Sequence, residues 1–117
     1  MTYVNGFLAP VKNANREAYL QMARACVPVF KELGALRMVE TWGADVPDGK
    51  LTSFPMAVKL EEDETVVFSW IVWPSKEVAD AAMPKMIEDE QLKAWEDNMP
   101  FDGKRMVYGG FEVILDE

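Results

Sequence analysis

The sequence predicts an α+β fold in which the segments follow one another as strand, helix, strand, strand, helix, strand. Two segments carry an apolar stripe at helical spacing, and four others are short apolar or alternating runs that are typical of strands. Residues 65–73 are apolar on both faces, which favours a central strand. With 117 residues, the chain is expected to form one domain over residues 1–117.

The first segments are the most regular. Residues 2–11 alternate between two faces as a strand does, and residues 14–33 form an apolar stripe that ends before Gly34. Pro28 lies inside this stripe, and we therefore expect a kink there or a break that leaves a short final turn.

The middle of the chain contains two further strands. Residues 35–43 predict the second strand and residues 65–73 the third. Residues 53–60 between them remain ambiguous between a short strand and one or two helical turns. The acidic run at residues 61–64 is interpreted as a solvated turn, with a weak cation site as the alternative.

The last third of the chain predicts a helix and a strand. Ser75 is placed to cap a helix from Lys76 to Asp89, which Pro84 interrupts. A further helical piece is expected at residues 90–97, and residues 105–115 predict the last strand.

This order of elements is that of the ferredoxin-like βαββαβ fold, with an antiparallel sheet and two helices on one face. Two helices cover one face only, yet the third strand is apolar on both. A second copy of the sheet is the economical cover, and we therefore expect a homodimer that pairs through its sheet faces. The apolar residues of the third strand are Val66, Phe68, Trp70 and Val72 on one face and Val67, Ile71 and Trp73 on the other.

Charge and composition exclude several classes of function. Twenty acidic residues against twelve basic ones give a net charge of −8, which argues against a nucleic-acid partner. No apolar run approaches the length of a membrane span, so no membrane partner is expected. The single cysteine, Cys26, allows no intrachain disulfide and is interpreted as a small core residue; a cytoplasmic location is the default.

The absence of histidine narrows the chemistry further. Histidine is the usual general base near neutral pH and a common metal ligand, so neither a metal site nor a cofactor is predicted. Of the eight methionines, Met22, Met83 and Met86 lie on helix stripes and are expected in the core.

Two long motifs, at residues 65–75 and 99–111, resemble the YbaA-like proteins, a bacterial domain of unknown function. Residues 3–7 and 36–43 fit the same family, and the resemblance extends over essentially the whole chain. It implies the dimeric α/β-barrel superfamily, in which ferredoxin-like subunits pair through their sheets. It implies no activity.

The candidate ligand-binding residues form two groups. In the turn at residues 100–105, Asp102 is interpreted as a structural acceptor of backbone hydrogen bonds, or else Arg105 holds an anionic group at the mouth of a pocket. Glu40 is either a buried acid with a raised pKa or the partner of Arg37 or Arg105 in an ion pair. The complete set of candidates is Glu40, Trp42, Ser69, Asp102, Arg105 and Tyr108.

Two functional hypotheses follow from these residues. In the first, the candidates surround a small organic ligand in a pocket of the dimeric barrel, with or without catalysis. In the second, the chain is a non-catalytic homodimeric interaction or sensing module, which predicts no convergence of polar groups. RNA binding is the weakest alternative, because the chain is acidic.

Overall fold

The computed structural model describes residues 2–93 and 99–117 and contains one four-stranded sheet with strand order β2-β3-β1-β4. The strands are β1 (Tyr3–Lys12), β2 (Arg37–Glu40), β3 (Glu64–Trp73) and β4 (Val107–Glu112). The helices are α1 (Arg16–Glu32), α2 (Phe54–Ala57), α3 (Lys76–Glu88) and α4 (Glu90–Lys93). Every neighbouring pair of strands is antiparallel, and this confirms the α+β arrangement that the sequence predicts.

The central strands β1 and β3 pair along their whole length, from Tyr3 opposite Trp73 to Lys12 opposite Glu64. Side chains of successive residues point to opposite faces of the sheet. The odd-numbered residues of both strands face the helices, and this side is called the helix-covered face. The even-numbered residues form the other side, which is called the open face.

The second strand is shorter than predicted, since regular pairing stops at Glu40. Beyond it, the Thr41 hydroxyl donates to the Phe68 carbonyl oxygen and replaces a backbone partner. Gly43 N–H then donates to the Val66 carbonyl oxygen at 3.0 Å. The chain therefore still follows β3 over residues 41–43, but a side chain has taken over part of the ladder.

Helix α1 continues through Pro28 to Glu32, so the predicted break is wrong. Its end is a Schellman motif: Gly34 N–H donates to the Lys31 carbonyl oxygen, and Ala35 N–H donates to that of Phe30. Gly34 has φ of 111°, which a residue with a side chain rarely adopts.

Helix α3 begins as predicted, since Ser75 Oγ accepts the Val78 N–H at 3.2 Å. It runs through Pro84 without interruption. Residues 53–60 contain a short helix, α2, which Ser53 Oγ caps by accepting the Met56 N–H. The helical piece predicted at residues 90–97 is present at Glu90–Lys93, and the remainder lies outside the described residues.

The core lies between the helices and the helix-covered face in two clusters. One surrounds the fully buried Trp73, whose indole N–H donates to Asn5 Oδ1 at 2.7 Å, and packs against α3. The other gathers Val11, Val67 and Tyr19 beneath α1. Met83, predicted in the core, is 42% exposed on α3 because the stripe of that helix buries Ala79 and Ala82 instead.

Candidate functional site

A cavity of about 240 Å³ lies between helix α1 and the helix-covered face of the sheet. It is called the α1 cavity. Its wall is mostly apolar: it includes the aromatic residues Phe7, Phe30 and Phe101, and the sulfur-containing residues are Met22, Cys26, Met38, Met99 and Met106. The polar side chains in the wall are Tyr19, Glu40 and Ser69. A mainly apolar wall with a few convergent polar groups is the usual composition of a small-molecule site.

The three polar side chains are brought together by three different elements. Tyr19 projects from α1, Glu40 ends β2, and Ser69 lies directly opposite Glu40 on β3. The Tyr19 hydroxyl donates to Glu40 Oε1 at 2.6 Å. Alternation along the strands places both Glu40 and Ser69 on the helix-covered face, where α1 carries Tyr19 over them.

Burial raises the pKa of the Glu40 carboxyl above its ordinary value, while hydrogen bonds from Tyr19 and Ser69 act in the opposite direction. Burial also raises the pKa of Tyr19, and the nearby charge of Glu40 adds to this effect. Tyr19 therefore stays a neutral donor. Of the two alternatives, Glu40 is thus the acid with a raised pKa, although its side chain is half-buried, and the ion pair with Arg37 or Arg105 is wrong because the Tyr19 hydroxyl is its hydrogen-bond partner.

Cys26 also lines the cavity, one turn of α1 beyond Met22. Burial raises the pKa of its thiol to about 11, and the charge of Glu40 contributes. The thiol is consequently protonated near neutral pH and behaves as a weakly polar part of the wall.

Trp42 lies beside this site rather than in the cavity wall. It packs against the cluster around Tyr19, and the guanidinium of Arg16 stands over its ring at 5.1 Å from the centroid. That distance is within the range of a cation–π interaction, so the ring holds the start of α1 against the chain that follows β2.

Asp102 and Arg105 form a separate cluster with Glu64. Arg105 Nη1 and Nη2 donate to the two carboxylate oxygens of Glu64 at 2.8 and 2.7 Å, and Nε donates to Asp102 Oδ2 at 3.0 Å. A further bond joins Arg105 to the Lys59 carbonyl oxygen at 3.0 Å. The donors of Arg105 are thus engaged within the protein; whether it also meets a ligand stays a prediction.

The position of Glu64 corrects the interpretation of the acidic run as a solvated turn. Its side chain is only 2% exposed at the start of β3, and the hydrogen bonds from Arg105 hold its pKa below the ordinary value. Glu61 and Asp63 remain at the surface, where both lie near Lys12. A buried carboxylate needs a partner of opposite charge, which a charge run alone does not reveal.

Tyr108 lies on the edge strand β4, opposite Phe7 of β1, and is 65% exposed. It is not part of the α1 cavity wall; it borders a shallow groove at the β4 edge, whose open-face aromatic residues include Phe54, Phe68 and Phe111. The structure therefore brings Glu40 and Ser69 together at the α1 cavity, with Trp42 adjacent, and leaves Asp102, Arg105 and Tyr108 elsewhere.

Tyr19 is a functional residue that the sequence pattern does not single out, because it lies within the apolar stripe of residues 14–33. The available signal was its hydroxyl, because a buried tyrosine normally needs a hydrogen-bond partner. The sulfur-rich wall likewise has no local sequence signal, because its methionines come from separate parts of the chain.

Comparison with known proteins identifies the family. The model of the family described as "Protein of unknown function (DUF1428)" matches residues 2–103. This chain belongs to that family. A DUF1428 relative from Escherichia coli strain K12, named uncharacterized protein YbaA, is 60% identical over 117 residues, covering 100% of both chains. The resemblance to YbaA-like proteins is thereby confirmed, and the family description names no activity.

Solved structures similar to this DUF1428 chain confirm the ferredoxin-like fold. A protein from an uncultured marine organism, described as a dimeric ferredoxin-like protein, has a TM-score of 0.65 at 8% identity, with 100% of both chains covered. SnoaB from Streptomyces nogalater, described as a cofactor-independent oxygenase, has a TM-score of 0.57 at 14% identity and covers 98% of this chain and 95% of its own.

No helix within residues 2–93 or 99–117 combines the length and apolar character needed to cross a bilayer. Within the same residues, no group of three or more Cys, Asp or Glu side chains has an arrangement suited to holding a metal ion. The prediction that the protein uses no metal or cofactor stays a prediction.

Proposed function

We propose that this protein binds a small, largely apolar organic molecule in the α1 cavity and that Glu40 accepts a proton or hydrogen bond from it. The observation that carries the proposal is the convergence of Glu40, Tyr19 and Ser69 on one otherwise apolar cavity. A non-catalytic interaction module predicts no such convergence. The arrangement also satisfies the ordinary criterion for a candidate site in a protein of unknown function.

The size of the cavity indicates the size of the ligand. An apolar cavity of about 150 Å³ holds a benzene molecule, and drug-sized ligands occupy about 300 Å³ or more. The α1 cavity, at about 240 Å³, lies between these values and suits a molecule of one or two rings. Aromatic walls and thioethers make favourable contacts with such rings.

Glu40 supplies the chemistry of this site. As a carboxylate it accepts a proton from an acidic O–H or C–H group of the ligand and becomes a neutral acid, while the ligand becomes an anion. Tyr19 and Ser69 stabilise the carboxylate before the transfer. A similar fold occurs in SnoaB, which is described as a cofactor-independent oxygenase, so this fold can accommodate catalysis without a cofactor.

The test is binding of fluorinated one-ring and two-ring fragments, followed by ¹⁹F NMR. We expect saturable binding to the wild type and a loss of at least about tenfold in Ala23→Leu, which fills the cavity. Ala57→Leu adds the same atoms on exposed α2 and is the matched control. Cys26→Phe is a second filling variant, and thermal denaturation establishes that each variant is folded.

Two results would contradict the proposal. One is the absence of any saturable fragment binding to the wild type. The other is unchanged binding in folded Ala23→Leu and Cys26→Phe, which would locate the fragments outside the α1 cavity.

We also propose that two copies pair through the open face of the sheet. Phe68 is 45% exposed there and packs against Phe54 and Trp70 at ring-centroid distances of 5.9 and 5.2 Å. Phe111 on β4 is exposed on the same face. A contiguous apolar surface of this kind favours a protein partner, and a structural neighbour described as a dimeric ferredoxin-like protein supports a second copy.

The remaining proposals concern location and partners. A cytoplasmic location is supported by the presence of a single cysteine. The chain can form no intrachain disulfide, and disulfides are typical of proteins in oxidising compartments. The net charge of −8 supports the absence of a nucleic-acid partner.

A further inference from the structure

We infer that the α1 cavity selects neutral molecules with an O–H or N–H donor, such as phenols or enols, and rejects carboxylates. This inference rests on the proposed function, because it names the class of ligand for the same cavity. It follows from two observations: polar side chains line the cavity, and no lysine or arginine is among its described wall residues.

Charge is the first step. Glu40 is the only carboxyl side chain among the described residues of the wall, and no lysine or arginine is among them. An anionic ligand would therefore be buried beside Glu40 without a counter-ion. Two like charges placed together in a desolvated site repel strongly, and burial of an unpaired carboxylate is costly in itself.

The nearby arginines do not change this balance. Arg16 stands over the Trp42 ring, outside the wall. Arg105 is held by both oxygens of Glu64 and by Asp102. The net charge of −8 over the whole chain adds to the unfavourable field for an anion.

Hydrogen-bond capacity is the second step. The Tyr19 proton is already donated to Glu40 Oε1 at 2.6 Å, and the other polar side chain of the wall is the Ser69 hydroxyl, opposite Glu40 on β3. The polar cluster therefore has little donor capacity left for an anionic ligand. A carboxylate offers about four acceptor positions, however, and the Tyr19 hydroxyl uses one of them. The Glu40 carboxylate can therefore still accept hydrogen bonds, and a ligand with an O–H or N–H donor can supply one.

The experiment compares three probes with the same methylated ring: p-cresol, 4-methylbenzoate and toluene. Binding to the full-length protein is measured by calorimetry or by competition against a fluorinated fragment at about pH 8, where the benzoate is ionised and the cresol is neutral. We expect p-cresol to bind at least about tenfold more tightly than 4-methylbenzoate. It should also bind more tightly than toluene, which lacks the donor.

Glu40→Gln separates charge from shape. The amide keeps an acceptor oxygen but removes the negative charge, so the preference for p-cresol over 4-methylbenzoate should shrink severalfold in this variant. Equal or tighter binding of 4-methylbenzoate by the wild type overturns the inference and leaves the proposed function standing. Equal binding of toluene and p-cresol does the same, whereas failure of every probe and fragment to bind overturns both.

Discussion

Glu40 and Tyr19 show how two ordinary side chains acquire unusual chemistry from their positions. Each would titrate normally in water. Beneath α1, the loss of hydration raises the pKa of both groups, and the bond from Tyr19 to Glu40 partly compensates the carboxylate. The pair is therefore the part of the molecule in which single substitutions should have the clearest effects.

Removal of the Tyr19 hydroxyl should raise the pKa of Glu40 further, since Tyr19→Phe deletes a hydrogen bond that favours the carboxylate. The pKa is measured by ¹³C NMR of the side-chain carboxyl group during a pH titration. Tyr108→Phe is the matched control, because Tyr108 is exposed on β4 and should leave the Glu40 titration unchanged. An unaltered Glu40 pKa in Tyr19→Phe would contradict the hydrogen bond.

Glu40→Gln should alter how stability depends on pH. The folded pKa of Glu40 is raised, so the protonated side chain favours folding below its unfolded pKa of about 4.3 and this contribution is lost as pH rises through the folded value. The amide in the variant has no proton to lose. We therefore expect the free energy of unfolding of Glu40→Gln, relative to wild type, to increase from acidic to neutral pH. Urea denaturation at a series of pH values checks this, and a difference that is constant or falls with pH would contradict it.

The elements of the fold were largely predictable because their signals are local. The stripe of α1, the alternation of β1 and the two-sided apolar run of β3 reflect burial that the fold confirms. The Ser75 cap was visible for the same reason. The end of β2 could not be predicted, because the Thr41 side chain replaces a backbone partner there. The bond between Glu64 and Arg105 could not be predicted either, because it joins residues 41 positions apart.

The site was half predictable on the same grounds. Alternation was enough to place Glu40 on one face of its strand, but the proximity of Ser69 depends on strand register, and that of Tyr19 depends on how α1 crosses the sheet. Arg105 was a reasonable anion-binding candidate from its turn alone. Its engagement with Glu64 is a long-range contact that no local pattern encodes.

The junction between α1 and β2 depends on a single glycine. Gly34→Ala should destabilise the protein by about 1–3 kcal/mol, because φ is 111° there and an added Cβ would lie 2.7 Å from Val78 Cγ1 of α3. Chemical denaturation measures the loss. Gly103→Ala is the control, since a Cβ there meets nothing within 4 Å; equal stability of the two variants would contradict the role of Gly34.

At the level of the whole molecule, the two faces of the sheet have different roles. The helix-covered face holds the core and the α1 cavity, whereas the open face exposes aromatic side chains. A chain of this size buries a modest share of its surface alone, so pairing would add to its stability. The α1 cavity lies on the helix-covered face, so pairing through the open face would not bury it.

Phe68→Glu should convert the proposed dimer to a monomer. Each copy would bring one negative charge to the open face, and the two charges would repel across the interface. Light scattering after size exclusion should give twice 13.3 kDa for the wild type and 13.3 kDa for the variant. Met83→Glu, at a position of similar exposure on α3, should remain dimeric. A monomeric wild type, or a folded Phe68→Glu variant that stays dimeric, would contradict pairing through this face.

The most direct test of the ligand site uses the methionines as internal probes. Met22, Met38, Met99 and Met106 line the α1 cavity, whereas Met56 and Met83 are exposed elsewhere. In protein labelled with ¹³C at the methionine methyl groups, p-cresol should shift the four cavity signals along one saturation curve and leave those of Met56 and Met83 in place. Shifts confined to the exposed methionines, or no saturable shift in any of the cavity signals, would contradict a ligand site beneath α1.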